Sequence, residues 1–172
     1  IFNFLEQPKT NAALMRDCKF IIPSPSIVKK EMLRLIDEEI KAARKRKPAA
    51  ITLKMNSLSD EDLIQKLYEA ARAGVQLKLI IRGIYCMYSE HKKFEIPVRA
   101  ISIVDEYLEH ARVWVFHNRG KEKVYISSAD WMLRNLEHRV EVTCPVWNDE
   151  LKMELKEILN IQLQDNVKAR WL

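Results

Sequence analysis

The apolar positions of this chain switch between a helical and an extended period. Helical spacing predicts three helices, over residues 24–47, 59–74 and 148–163. The first has Ser24 as its N-cap and Pro25 at its first helical position. The second opens on the capping-box pattern of residues 59–62 and ends at Gly74, where the left-handed region suits glycine.

Extended, mostly apolar runs predict the strands. They cover residues 19–22, 49–55, 75–81, 98–104, 112–116, 124–127 and 139–145. The strand–helix–strand unit of residues 49–81 implies a parallel pair with a right-handed crossover. Asn118-Arg119-Gly120 predicts a hairpin turn between the fifth and sixth runs. We therefore expect an α/β fold, in which helices flank both faces of one mixed sheet.

Composition indicates a single domain that binds an anionic partner. A chain of 172 residues is a single domain by default, and 48% hydrophobic residues can build its core. The net charge of +5 favours phosphates, nucleic acid or an acidic membrane without choosing among them. Three widely spaced cysteines without a CxxC pair indicate reduced thiols, as in the cytoplasm. Because the chain opens at Ile1, we interpret it as a piece of a longer polypeptide.

The chain has only three glycines, and their positions exclude two common nucleotide-binding loops. The Walker loop fails because Val115 stands where its first glycine should precede Gly120-Lys121, and the Rossmann glycine pattern is absent. If this protein binds a polyanion, side-chain cations must hold the phosphates.

A histidine and an arginine two residues apart are the sharpest chemical signal. Residues i and i+2 of an extended segment point to the same side, so His110 and Arg112 should lie together. That pair suits a phosphoryl group, because arginine neutralises oxygens and histidine transfers protons or the phosphoryl itself. Glu109 should face away from His110. Asp130 or a neighbouring serine, such as Ser128, could then orient the imidazole.

Further candidates follow the predicted strands. Arg82 ends a parallel strand, where the ligands of open α/β sheets gather, and Lys54 and Asn56 end the preceding one. Arg134 and Asn135 follow the serine cluster and could contact phosphate. The alternative for each is structural, as an ion pair or a loop cap.

These residues resemble two related families. His110-x-Arg112, a hairpin and Ser128-x-Asp130 resemble a degenerate phospholipase-D-type motif, with Arg112 in place of its lysine and Asp130 in place of its final asparagine. The whole chain resembles the last catalytic domain of long-chain polyphosphate kinases. The matching segments, in order, are 2–5, 48–56, 67–70, 81–83, 108–110, 124–132, 134–136, 139–141 and 165–170.

The resemblance implies an enzyme that moves the terminal phosphate of ATP reversibly to polyphosphate through a phosphohistidine. It implies a single phospholipase-D-like domain over residues 1–172, the second of two such domains around a tunnel, with the phosphorylated histidine in the preceding one. Arg82 and His110 match the residues that bind the nucleotide phosphates. ATP or ADP, polyphosphate, other domains of the same enzyme and further copies of it are the partners expected, without nucleic acid. Mg²⁺ would be held mainly outside this chain, and no metal ligand is expected within it.

The resemblance also bears on activity and location. The 172 residues should hold half a site and be inactive alone. The location expected is cytoplasmic, with peripheral membrane association of the full-length enzyme left open.

Two other functions remain open from the residues alone. One is a phosphodiesterase or nuclease of the phospholipase-D type, active as a dimer that pairs two His110 side chains. The other is a non-catalytic polyanion-binding module that uses the basic cluster, which we define as Lys41, Arg44, Lys45, Arg46 and Lys47. Charge runs of this kind are also typical of a solvated helix end.

Overall fold

The computed structural model describes residues 20–25 and 27–172, and their strands form one mixed sheet. The strands are β1 (Ile22–Ser24), β2 (Ala50–Met55), β3 (Gln76–Ile81), β4 (Arg99–Ser102), β5 (Val113–Phe116), β6 (Lys123–Ser127), β7 (Glu141–Val146) and β8 (Arg170–Trp171). The helices are α1 (Ile27–Arg44), α2 (Glu61–Arg72) and α3 (Asp149–Leu163), with a 3₁₀ turn at Asn118–Gly120 and a π-helical turn at Arg134–His138. Across the sheet the order is β1-β7-β6-β5-β2-β3-β4-β8.

The predicted parallel unit lies at the centre of this sheet. β2 and β3 pair in parallel from Ala50 opposite Gln76 to Met55 opposite Ile81, with α2 as the crossover between them. β4 continues the parallel set, whereas every other pairing is antiparallel. The hairpin of β5 and β6 is present as predicted. The α/β prediction is therefore confirmed.

Helices cover both faces of the sheet, as predicted. On one face, α1 and α2 pack fully buried side chains such as Met32, Leu63 and Leu67 against the sheet. Each such leucine contributes roughly 1.5–3 kcal/mol through burial. On the other face, α3 contributes Leu159 and Leu163 to a second, smaller core. None of the helices in the described part of the chain is long and apolar enough to cross a membrane.

The first and second helices both begin later in the chain than predicted. Ser24 pairs with Glu141 as the last residue of β1, so it belongs to the sheet and α1 begins at Ile27. The cap of α2 is Asp60, whose carboxylate accepts the amide hydrogen of Leu63 at 3.1 Å. Ser59 lies one residue before this cap, and its amide and that of Asp60 both donate to the carbonyl of Trp131.

Other differences lie at element ends that depend on distant partners. The first predicted strand, at 19–22, overlaps β1 only at Ile22, because β1 begins there and runs to Ser24; Lys19 lies outside the described residues. The short strand β8 was not predicted: Arg170 and Trp171 pair with Ser102 and Ile101 at the edge of the sheet. A two-residue strand is too short to show any alternation, so only its partner reveals it. The π-helical turn was not predicted either.

Candidate functional site

The predicted site residues come together at one edge of the sheet. β2, β3 and β6 end there, and β5 and β7 begin there, because β5 and β7 run antiparallel to their neighbours. We call this the carboxyl edge, after the ends of β2 and β3, and the opposite side the amino edge. Asn56, Arg82, Arg112 and Asp130 each lie within a few residues of a strand end at the carboxyl edge.

A buried ion pair fixes the first arginine of this edge. Asp130 is 4% exposed, and its two carboxylate oxygens accept Nε and Nη2 of Arg112, both at 3.1 Å. Two parallel bonds of this kind hold a guanidinium in one orientation. The Arg112 side chain is 13% exposed, so the pair is shielded from water along most of its length. Arg112 thus occupies a fixed position rather than sampling many rotamers.

The Asp130 carboxylate also holds the backbone that follows the end of β2. Oδ1 of Asp130 accepts the backbone amides of Asn56 at 2.8 Å and Ser57 at 3.2 Å. The expectation that Asp130 or Ser128 orients His110 is corrected by the structure. Every hydrogen bond of the Asp130 carboxylate goes to Arg112 or to this backbone, and the Ser128 hydroxyl donates to Glu141. Asp130 instead links the backbone at the end of β2 to the Arg112 side chain through hydrogen bonds.

His110 and Arg112 lie side by side, as predicted. Nη1 of Arg112 is 3.1 Å from Nδ1 of His110, and Nη2 is 3.3 Å from Nε2. These residues precede β5, so strand alternation is not what aligns them. The alignment comes from Nη1 of Arg112, which also donates to the His110 carbonyl at 3.1 Å. His110 is exposed, so an imidazole beside a permanent cation faces the open edge.

A second arginine is oriented by an amide. Nε of Arg82 donates to Oδ1 of Asn56 at 2.7 Å, and its Nη groups engage no acceptor among residues 20–25 and 27–172. Close backbone approach makes this contact, since Gly83 donates to the Asn56 carbonyl at 2.7 Å. A Cβ added at Gly83 would lie 3.1 Å from that oxygen. Asn56 therefore positions Arg82 and leaves the outer half of its guanidinium for a ligand.

Ser128 and Asn135 meet at a carboxylate that was not predicted as a site residue. Nδ2 of Asn135 donates to Oε1 of Glu141 at 2.7 Å, and the Ser128 hydroxyl donates to Oε2. Glu141 was noted only as part of a matching segment. The signal that could have singled it out is a carboxylate at the first residue of a strand that starts at the carboxyl edge. Arg134 is exposed on the adjacent π-helical turn.

Lys54 does not join the two arginines. Its side chain is 5% exposed, and its ammonium donates to Glu109 and to Oε1 of Gln162, the latter at 2.8 Å. The Lys54 hydrogen bond lowers the pKa of Glu109 below its usual value. Glu109 therefore points away from His110, as predicted. A buried ammonium with two partners does not need phosphate to neutralise or solvate it.

This arrangement can bind and neutralise an oxyanion. Arg82, Arg112 and His110 supply up to three positive groups at one open edge, and preorganised charge of this kind stabilises a transferring phosphoryl group. The described residues contain no group of three or more His, Cys, Asp or Glu side chains that could hold a metal ion. The carboxylates of Asp130 and Glu141 are already engaged by hydrogen-bond donors. These residues do not fit a magnesium site, and we derive no step through that ion.

Comparison with known proteins shows which family model and which solved structures this chain matches. Residues 21–172 match the family model described as polyphosphate kinase C-terminal domain 2. A polyphosphate kinase of Vibrio cholerae is 45% identical over 172 residues, which cover 99% of this chain and 24% of that protein. The crystal structure of polyphosphate kinase from Porphyromonas gingivalis superposes with a TM-score of 0.86 at 43% identity, over 90% of this chain and 24% of that one.

The fold is also that of phospholipase D proteins. Nuc of Salmonella typhimurium, a phospholipase D family member, superposes with a TM-score of 0.63 at 15% identity, over 88% of this chain and 95% of its own. This likeness shows the fold alone. The chain spans about a quarter of the length of the curated relatives it matches.

Proposed function

Because this chain belongs to the polyphosphate kinase family, we propose that it is the C-terminal catalytic domain of a larger enzyme that transfers the terminal phosphate of ATP reversibly to polyphosphate. In this proposal residues 1–172 form one domain, the second of two phospholipase-D-like domains. It works with the other domains of the same enzyme and with further copies of it. The observation that carries the proposal is the buried pair of Asp130 and Arg112, which holds a cation against His110 beside Arg82.

Each residue has a role that its contacts support. Arg82 and Arg112 neutralise phosphate oxygens, and Asn56 and Asp130 hold them in place. His110, in its protonated form, donates a proton to the oxygen that leaves the transferred phosphorus. Ser128 and Asn135 hold Glu141 beside the site, and Arg134 offers an exposed cation at the rim. Lys54 acts through Glu109 rather than on phosphate.

The transfer itself requires a partner outside this chain. In the proposed first step, the bond between the terminal phosphorus of ATP and its bridging oxygen breaks, and a bond to a histidine nitrogen of the preceding domain forms. A polyphosphate oxygen then displaces that nitrogen. The present residues serve both steps by positioning charge, which accounts for most of the catalysis of phosphoryl transfer. The isolated chain is therefore expected to bind polyanion without turnover.

A cytoplasmic location belongs to the same proposal. ATP is a cytoplasmic substrate, and Cys86 and Cys144 are both unpaired thiols in the described part of the chain. Thiols persist in a reducing compartment.

The test uses the full-length enzyme that contains these residues. His110→Gln and Arg82→Ala should each lower polyphosphate synthesis and ATP formation about 10²–10³-fold, as when a preorganised transition-state donor is lost. His91→Gln is the matched control, because His91 lies in the exposed loop after β3 and should keep activity within about twofold. Full activity in either site variant would contradict the proposal. So would metal-independent cleavage of bis(p-nitrophenyl) phosphate that is lost in His110→Gln, which would indicate a phosphodiesterase.

A further inference from the structure

The segment that carries His110 has little structure of its own. It connects β4 to β5, and residues 104–111 are exposed and form neither helix nor strand. Segments of this kind are mobile unless side chains attach them to the body of the protein. The position of His110 therefore depends on side-chain contacts made by the residues on both sides of it.

On one side, His110 is held by Arg112. The guanidinium of Arg112 donates to the His110 carbonyl and is itself fixed by Asp130. On the other side, the preceding residue, Glu109, is held by Lys54. Consecutive Cα atoms are about 3.8 Å apart, so a fixed Glu109 restricts where the His110 backbone can lie.

The contact of Lys54 with Glu109 has the features of a strong attachment. The Lys54 side chain is 5% exposed and emerges from β2 in the middle of the sheet. Gln162 of α3 completes a triangle, since its Oε1 accepts from Lys54 at 2.8 Å and its Nε2 donates to Glu109 at 3.0 Å. Two elements, β2 and α3, thus converge on the Glu109 carboxylate. Because a buried ammonium without its partner is costly, Lys54 strongly favours the conformation that keeps Glu109 in reach.

The other end of the same segment provides a contrast. There Lys168 pairs with Asp105 at 3.1 Å, but the two side chains are 53% and 46% exposed. Exposed pairs of this kind contribute little, because water and salt screen them and both side chains lose freedom. The two ion pairs tether one segment, and only the pair next to His110 is buried on its lysine side.

We propose that Lys54 is a positioning residue for the site: its buried ammonium holds Glu109 and thereby fixes His110 beside Arg112. The inference rests on the proposed function, in which His110 acts on phosphate. It gives Lys54 a part in transfer without contact with substrate. It also explains why a lysine lies inside an otherwise apolar strand.

The test compares the two lysines in the full-length enzyme. Lys54→Met keeps the aliphatic stem but removes the charge, and Lys168→Met is the matched control on the same segment. Lys54→Met should lower kcat at least about tenfold, since a misplacement of about 1 Å can cost up to 10²-fold. KM for ATP should change less than about threefold, because Asn56 and Asp130 still hold the two arginines. Lys168→Met should stay within about twofold of wild type.

Glu109→Gln provides a second route to the same answer. Glu109 is half exposed, so this substitution is tolerated even if Lys54→Met fails to fold. It should lower kcat in the same direction, and the double variant should lose no more than Lys54→Met alone, because both changes break one contact. The rate at which diethyl pyrocarbonate modifies His110, followed by peptide mass spectrometry, should change in both variants and remain at the wild-type value in Lys168→Met.

Three outcomes would overturn the inference. They are wild-type kcat in Lys54→Met and Glu109→Gln, a rise in KM for polyphosphate with unchanged kcat, and equal losses in Lys54→Met and Lys168→Met. The second would mean that Lys54 contacts substrate directly. His110→Ala is assayed in parallel, and an active His110→Ala enzyme would reject the proposed function itself, whatever the lysine variants show.

Discussion

Both edges of the sheet carry positive charge, and they hold it differently. At the carboxyl edge, Arg112 is fixed by the buried carboxylate of Asp130, and Arg82 by the amide of Asn56. At the amino edge, Lys45, Arg46 and Lys47 of the basic cluster are exposed, and the nearby pair of Arg119 and Glu38 is 59% and 30% exposed. The carboxyl edge thus presents cations in fixed orientations, whereas the amino edge presents a solvated positive surface.

Removal of the buried carboxylate should have the largest effect. Asp130→Ala leaves Arg112 unpaired in a shielded position and frees the amides of Asn56 and Ser57 just after β2, so it should lower the free energy of unfolding by about 3–5 kcal/mol. Glu38→Ala breaks the exposed pairs with Arg119 and Lys41 at the amino edge and should cost far less, because water and salt screen them. Urea unfolding of the 172-residue chain measures both. Similar losses in the two variants would remove the distinction between the edges.

A pair of glycines separates effects on the site from effects on stability. Gly83→Ala brings a Cβ to 3.1 Å from the Asn56 carbonyl and should displace the amide that orients Arg82, so kcat/KM should fall several-fold. Gly120, at the amino edge, has φ +85° and open space around it, so Gly120→Ala meets backbone strain alone. It should lower stability by about 1 kcal/mol and leave kcat/KM unchanged. The reverse pattern would contradict the assignment of Arg82 to the site.

Two carboxylates, one at each edge, should respond to pH with opposite signs. The hydrogen bond from Lys54 lowers the pKa of Glu109, so its stabilisation is complete above the ordinary pKa and is lost as pH falls through the lowered value. Burial raises the pKa of Glu39, whose charged form therefore costs stability as pH rises through the ordinary value towards the raised one.

Unfolding free energies at several pH values test this difference. As pH falls below about 4, the stability advantage of wild type over Glu109→Gln should shrink. Above that pH, lowering the pH should instead raise the stability of wild type relative to Glu39→Gln, because Glu39 takes up a proton. Parallel changes for both variants would show that the two carboxylates are not held as described.

Neutralisation of the basic cluster should have the smallest effect. The variant carries Lys41→Gln, Arg44→Gln, Lys45→Gln, Arg46→Asn and Lys47→Gln. Asparagine at position 46 suits the left-handed backbone found there. Transfer activity should stay within about twofold of wild type, because these side chains lie at the edge away from Arg82 and His110. A loss greater than tenfold would show that the amino edge belongs to the substrate path.

The sequence predicted the elements of the carboxyl edge better than their connections. The parallel pairing of β2 and β3 followed from local patterns, so Asn56 and Arg82 were expected at neighbouring strand ends, where they are found in contact. The contact of Asp130 with Asn56 joins residues 74 positions apart, and no local pattern encodes which donors a buried carboxylate will meet. Glu141 was missed for the same reason, since its donors come from the β6–β7 connection.

The position of Lys54 within a central strand could have predicted a structural role for it from the sequence. Its neighbours Leu53 and Met55 face the larger core, and a central strand has no face open to water. A buried lysine in such a strand needs a carboxylate within reach more than it needs a ligand. The identity of that partner, Glu109, required the structure because it lies 55 residues away in an irregular segment.

Binding of long-chain polyphosphate to the 172-residue chain at low and high salt tests the central claim most directly. Wild type, Arg82→Ala, His110→Ala and the neutralised basic-cluster variant are compared. We expect binding to weaken in Arg82→Ala and His110→Ala at both salt concentrations and to stay near wild type in the basic-cluster variant. Loss of binding only in the third variant would place the polyanion surface at the amino edge and contradict the assignment of Arg82 and His110 to the site.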